Sequence, residues 1–246
     1  LTLRSIQLRL KDDTQPLWDH ITFIAERFKY RLRLMSAKDY TVGMILQLAF
    51  NACVNLVLFV LLPIGAYAVI QKRRHGQTQR RSLVIVGFRL GSKRYLRYAT
   101  MTSIIAAIVT WYGISTDVFL HEGSPHAPFL GLGISKVAIV MALLYGVVQT
   151  GFAEEVFFRG LIGGAAMRRF GFWRGNVLQS FIFLGPHLFL LVVMPEQWPM
   201  MPILFLGAMF SGWLFHQSHS FVGPWMIHAA VNVTTCLLAF SISIAA

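Results

Sequence analysis

Gly151-Phe152-Ala153-Glu154-Glu155-Val156-Phe157-Phe158-Arg159-Gly160 is the stretch that decides how this chain is read. Two adjacent glutamates sit in apolar surroundings: from Ile134 to Ala153 the only charge is Lys136. A carboxylate at bilayer depth costs roughly 2.5–3.5 kcal/mol on insertion scales, and two ionised neighbours also repel each other. Packing does not account for such a pair. Ionisable groups inside a membrane helix are read first as a functional site.

The composition says that a membrane is the right setting. The chain is 56% hydrophobic and 13% charged, with a mean hydropathy of +0.60. Soluble domains carry about 25% charged residues. Several apolar runs reach the length of about 18 residues that a spanning helix needs. Nothing shows the short alternating segments of a barrel. The fold class is therefore all-α, a polytopic helical bundle of about six transmembrane helices. The net charge of +12 would suit nucleic acid, but the basic residues flank the apolar spans, as the positive-inside rule requires. The expected partner of that basic surface is the lipid bilayer, not nucleic acid. Cys53 and Cys236 lie in apolar spans with no CxxC or Cys-His spacing and read as small hydrophobes.

Residues 1–41 are polar and carry eight Lys or Arg. They read either as an interfacial segment or, for residues 1–34, as dispensable, because Met35 opens an ordinary start before the first span. Residues 42–97 hold span 1 (42–70) and a basic loop, 71–97, with nine Lys or Arg and no acid, the strongest cytoplasmic signal in the chain. Within it, residues 82–96 read as an interfacial helix. Residues 98–246 form the core: spans at about 98–116, 134–158, 176–194, 200–215 and 222–243. The loops at 117–133 and 195–199 lack Lys and Arg and read as external. Arg168, Arg169 and Arg174 mark a cytoplasmic return. The alternation leaves residues 1–41 outside, or makes span 1 a re-entrant pair.

Four groups of polar residues belong together. Glu155 and Arg159, four apart, share a helix face, and Glu154 points about 100° away. His187 follows Gly185-Pro186, and Pro186 removes a helix hydrogen bond and can kink the span. His228 and Asn232 are again four apart. By rise per residue, about 1.5 Å, Glu154, His228 and, somewhat deeper, His187 fall toward the cytoplasmic side of three helices. They can converge on one cytoplasm-facing cavity. A carboxylate in such a cavity suits a general base. A histidine can share its water or proton, and histidine and asparagine can donate to an oxyanion. No Ser-His-Asp or Cys-His set competes, and HExxH is absent.

At these residues the chain resembles the CPBP intramembrane proteases, the family of CAAX proteases and bacteriocin-processing enzymes also called Abi. The pattern EExxxR, FxxxH, HxxxN is matched by Glu154-Glu155-Val-Phe-Phe-Arg159, Phe183-Leu-Gly-Pro-His187 and His228-Ala-Ala-Val-Asn232. The resemblance covers roughly residues 134–243. It implies catalysis by Glu154, His187, His228 and Asn232: Glu154 activates a water with help from His187, and His228 and Asn232 stabilise the oxyanion. Glu155 and Arg159 are implied as supporting residues. The metal is left open, since Glu154, His187 and His228 could bind zinc; no cofactor is fixed.

The leading expectation is an intramembrane, glutamate-dependent endopeptidase of the bacterial inner membrane. It would cleave a peptide or a lipidated, membrane-anchored protein near the cytoplasmic face. The alternative is a non-enzymatic bacteriocin immunity or scaffold protein that uses the same cavity to bind a partner.

Overall fold

The computed structural model describes residues 37–113, 120, 126 and 129–242. The expectations for residues 1–34 and for most of the 117–133 loop lie outside the described residues. The chain divides into two units, Leu1–Gln47 and Leu48–Ala246. Of the first, the described part opens the helix that begins at Ala37.

The described residues are helical, with no strand among them. α1 runs without interruption through Ala37–Asn55, the wide π turns of Leu56–Leu61, and Leu62–His75. Lys72, Arg73, Arg74 and His75 fill its last turn, where cations complement the helix dipole. Gly76, at φ +62°, closes it. α2 is Gln79–Val86, opened by Thr78, whose hydroxyl accepts from the Arg81 amide. α3 is Lys93–Gly113. α4 spans Lys136–Phe170 and starts at Ser135, whose hydroxyl accepts from the Ala138 amide. α5 is Phe172–Leu188, α6 is Met200–Ser218 and α7 is Val222–Ser241.

By length and composition, four helices can cross a membrane: α1 from Val42, α4, α5 extended to Val192, and α7. The helical bundle is as expected, but of the about six spans read from the sequence only these four meet both criteria among the described residues. The remaining two candidates, α3 and α6, are long enough at 21 and 19 residues but polar at one end. Lys93, Arg94 and Arg97 open α3; His216, Gln217 and Ser218 close α6.

The distribution of side chains is that of a protein solvated by lipid. Ile104, Ile105, Ile108 and Val109 on α3, and Leu58, Leu61 and Leu62 on α1, are all more than half exposed. Gln149, Thr150, Glu155, Arg159, Asn176, Gln179 and Ser180 are buried. With no water at bilayer depth, polar groups find partners only inside the bundle. Between α5 and α6 the Asn176 amide donates to the Met209 carbonyl at 2.9 Å, and the Gln179 amide reaches the Ala208 carbonyl at 3.0 Å. Such bonds tie helices that the hydrophobic effect cannot tie within lipid.

One local expectation is corrected. Residues 82–96 do not form a single interfacial helix: α2 ends at Val86, and Gly87 turns the chain at φ +100°, a conformation that suits glycine. Val86 is fully buried in a cluster with Ala153 and Val156 of α4 and Phe215 and Phe221. α2 is therefore a short wedge against the middle of the bundle, and α3 begins afresh at Lys93.

Candidate active site

α4 and α7 come together because α4 offers glycine where they touch. A Cβ on Gly146 would lie 2.8 Å from Val233, and one on Gly151 would lie 3.2 Å from Trp225 and 3.5 Å from the Ala229 backbone. Any larger residue would push α7 away, and with it His228 and Asn232.

Around these contacts α4 is wound in wide turns, Leu144–Phe152 and Glu155–Gly163. π turns are rare and concentrate at functional sites. Three carbonyls of the first stretch accept side-chain hydrogen bonds. Trp225 Nε1 donates to Val147 at 2.8 Å, Asn55 to Gln149 at 3.0 Å, and the Thr150 hydroxyl to Tyr145 at 2.9 Å. The loosened helix is thus pinned from both sides just before the glutamates.

The two glutamates then part company. Glu155 is 1% exposed, and Arg159, one turn on, is 2% exposed, with Nε 3.1 Å from Glu155 Oε2. Neither Arg159 Nε nor Glu155 Oε2 makes a well-aimed hydrogen bond, so the pairing is electrostatic. The guanidinium also lies 4.1 Å from the centroid of the Phe183 ring, a favourable seat for a desolvated cation. The other oxygen of Glu155 is 2.8 Å from His228 Nδ1. A carboxylate held beside arginine is an acceptor, so His228 Nδ1 carries the hydrogen and donates it.

Glu154 has no such cage. It is 21% exposed, and its Oε2 faces His228 Nε2 at 4.0 Å. His228 therefore stands between the carboxylates, bonded to one and turned toward the other. Asn232, one turn further along α7, donates through Nδ2 to the Thr150 hydroxyl at 2.8 Å.

His187 sits in the last turn of α5. The helix runs through Pro186 and ends two residues later, at Leu188. His187 Nδ1 is 3.0 Å from the Phe183 carbonyl. A carbonyl can only accept, so Nδ1 is the protonated nitrogen and Nε2 keeps its lone pair. Among the described residues His187 makes no hydrogen bond or ion pair with either glutamate. It joins the group through Phe183, whose ring is 4.9 Å from His187 and 6.2 Å from His228.

Of the sequence candidates, Glu154, Glu155, Arg159 and His228 form one contact group, Asn232 is attached through Thr150, and His187 stands one ring away. Thr150 had no assigned role. Its signal was present, a hydroxyl one turn before Glu154 in an apolar helix. Phe183 was read only as a motif letter, yet it touches Arg159, His187 and His228.

Zinc fits poorly. Among the described residues no group of three His, Cys, Asp or Glu side chains is placed to hold a metal ion. Glu155 is already engaged by Arg159 and His228. The donors that do converge, Glu154 and His228, make two ligands rather than the three of a catalytic zinc site.

No curated protein and no solved structure matches the chain. A family model described as type II CAAX prenyl endopeptidase Rce1-like matches residues 136–234. The match runs from the first turn of α4 into α7 and includes every residue of the contact group. Over residues 136–234 the chain is thus similar to the Rce1-like type II CAAX prenyl endopeptidases, a family of hydrolases, and its apolar helices long enough to cross a membrane make it a multi-pass membrane protein.

Proposed function

We propose that this endopeptidase is glutamate-dependent and cleaves near the cytoplasmic membrane face, with Glu154 as the base. The observation that carries the reading is the unequal pair: Glu155 is sealed with Arg159, while Glu154 is open and faces His228. In this scheme Glu154 takes a proton from a water held with the help of the His187 Nε2 lone pair. The hydroxide attacks the scissile carbonyl carbon. The carbonyl π electrons move to oxygen, which accepts hydrogen bonds from the imidazolium form of His228 through Nε2 and from the second amide hydrogen of Asn232. Glu154, now protonated, passes its proton to the leaving amine as the C–N bond breaks. No step runs through a metal.

Glu155 acts on this chemistry indirectly. It fixes the ring of His228 from behind, so that Nε2 and not Nδ1 meets the substrate. The substrate proposed is a peptide or a lipidated, membrane-anchored protein, and the setting is the inner membrane of a bacterial cell. The apolar spanning helices and the CAAX-protease match support a membrane setting, and the basic segments that flank the spans support its cytoplasmic orientation. The test is terminal proteomics of membranes from cells holding equal amounts of wild type or Glu154→Gln. New termini on the cytoplasmic side, seen with wild type alone, are the expected result. Identical termini in both would remove Glu154 from the mechanism.

A further inference from the structure

Away from the glutamates, at the basic end of the bundle, the second unit carries an open pocket of about 430 Å³. Its floor includes Met167 of α4 and Phe215 of α6, both nearly sealed. Its rim carries Arg89, Arg168, His216 and His219. The rim is built rather than incidental. Arg89 Nε donates to the His219 carbonyl at 2.9 Å, and the Ser220 hydroxyl donates back to the Arg89 carbonyl. Arg168 is exposed, and among the described residues its hydrogen-bond partner is the Tyr67 hydroxyl, at a long 3.5 Å.

The chain has few acids to offer these groups. Among residues 37–242 the carboxylates are Asp39, Glu154, Glu155, Glu196 and the external-loop Asp117 and Glu122. Of the described carboxylates, Glu154, Glu155 and Glu196, none lines the cavity, and among the described residues neither arginine is in an ion pair. Burial first, and then the cationic Arg89 and His216, hold the His219 imidazole below its usual range. The volume suits a small headgroup. Beside the rim Leu90 is 79% exposed, so apolar surface continues outward from the arginines.

We infer that this cavity binds a phosphate ester, the headgroup phosphate of an anionic phospholipid, with Arg89 and Arg168 on the phosphate and Met167 and Phe215 under the first carbons. The inference stands apart from the peptidase chemistry, since no residue is shared. A basic pocket between membrane helices is a recurring solution for such headgroups, at about 1 kcal/mol per basic residue near the surface.

The test uses the full chain in phosphatidylcholine nanodiscs with and without a minor fraction of phosphatidylglycerol. Lipid retained on release into neutral detergent is read by native mass spectrometry. Wild type should retain phosphatidylglycerol in preference. Arg168→Gln should weaken retention roughly five-fold at an unchanged unfolding temperature. Arg73→Gln, on a basic turn that does not line the cavity, should leave it unaltered. Equal loss in both variants would mean diffuse surface charge and would overturn the site, as would no preference in wild type. Inorganic phosphate is the second probe, added to lipid-free protein in detergent. Weak or no binding supports the lipid. Binding as strong as that of the lipid, lost in Arg168→Gln, would overturn the lipid assignment and give the site to a soluble phosphate.

Discussion

The two sides of α4 at residues 154 and 155 differ more than their sequence does. On one side Glu155, Arg159 and the Phe183 ring make a closed stack with almost no exposure. On the other, Glu154 is a fifth exposed and faces the far nitrogen of His228. In the proposed mechanism one carboxylate is structural, which leaves its neighbour available for proton transfer. A single glutamate could not do both, because a base clamped by arginine would be a poor acceptor of a proton. His228 links the two sides, held by Glu155 through Nδ1 and offering Nε2 to the site of Glu154.

The sharpest way to break this contrast is Glu154→Gln. A lost general base should lower turnover by about 10²–10⁴-fold, read as product formed per folded molecule, with the unfolding temperature unmoved. Next in size is Arg159→Met. It leaves the buried Glu155 with His228 as its remaining partner, and the expected destabilisation is about 3 kcal/mol, the low end for breaking a buried pair, seen as early unfolding in detergent. If Arg159→Met unfolds like wild type, the closed stack carries no weight.

Asn232→Ala should slow turnover by roughly 10²-fold, the size of one lost oxyanion donor, with KM little changed. An unaltered rate would leave Asn232 as a tie between α7 and α4. Thr150→Val sharpens that result. It removes the hydrogen bond that orients Asn232, worth about 1 kcal/mol, so turnover should fall several-fold and no further; a loss as large as that of Asn232→Ala would make Thr150 more than a positioning residue.

The smallest effect lies outside the contrast, in the loop before α4. Burial holds His126 neutral, with its pKa pushed down to about 4. Its folded value is below the unfolded 6.5, so its contribution is complete above about pH 6.5 and is lost as pH falls toward 4. Unfolding temperature should decline across that window in wild type and decline less in His126→Phe. Equal slopes would remove His126 as the cause.

Why some of this was legible in sequence is a matter of contrast. Glu154, Glu155 and Arg159 stand out because charge is costly in an apolar helix, and the four-residue spacings put partners on shared faces. What was not legible depends on geometry between helices. Gly146 and Gly151 look like ordinary membrane glycines until α7 is laid against them. The wide turns of α4, which free carbonyls for Trp225, Asn55 and Thr150, leave the apolar pattern unchanged. The basic and apolar residues of 82–96 mimic an interfacial helix, and only the turn at Gly87 and the burial of Val86 reveal a wedge. The tautomer of His187 follows from one contact with the Phe183 carbonyl, which no spacing rule predicts.

The most direct test of the account compares Glu154→Gln with Glu155→Gln in purified protein, measuring turnover per folded molecule and unfolding temperature on the same samples. The account predicts that Glu154→Gln loses turnover by at least about 10²-fold and unfolds like wild type, whereas Glu155→Gln unfolds early and retains measurable turnover in its folded fraction. Turnover by Glu154→Gln at the wild-type rate, or abolished turnover in a fully stable Glu155→Gln, would contradict it.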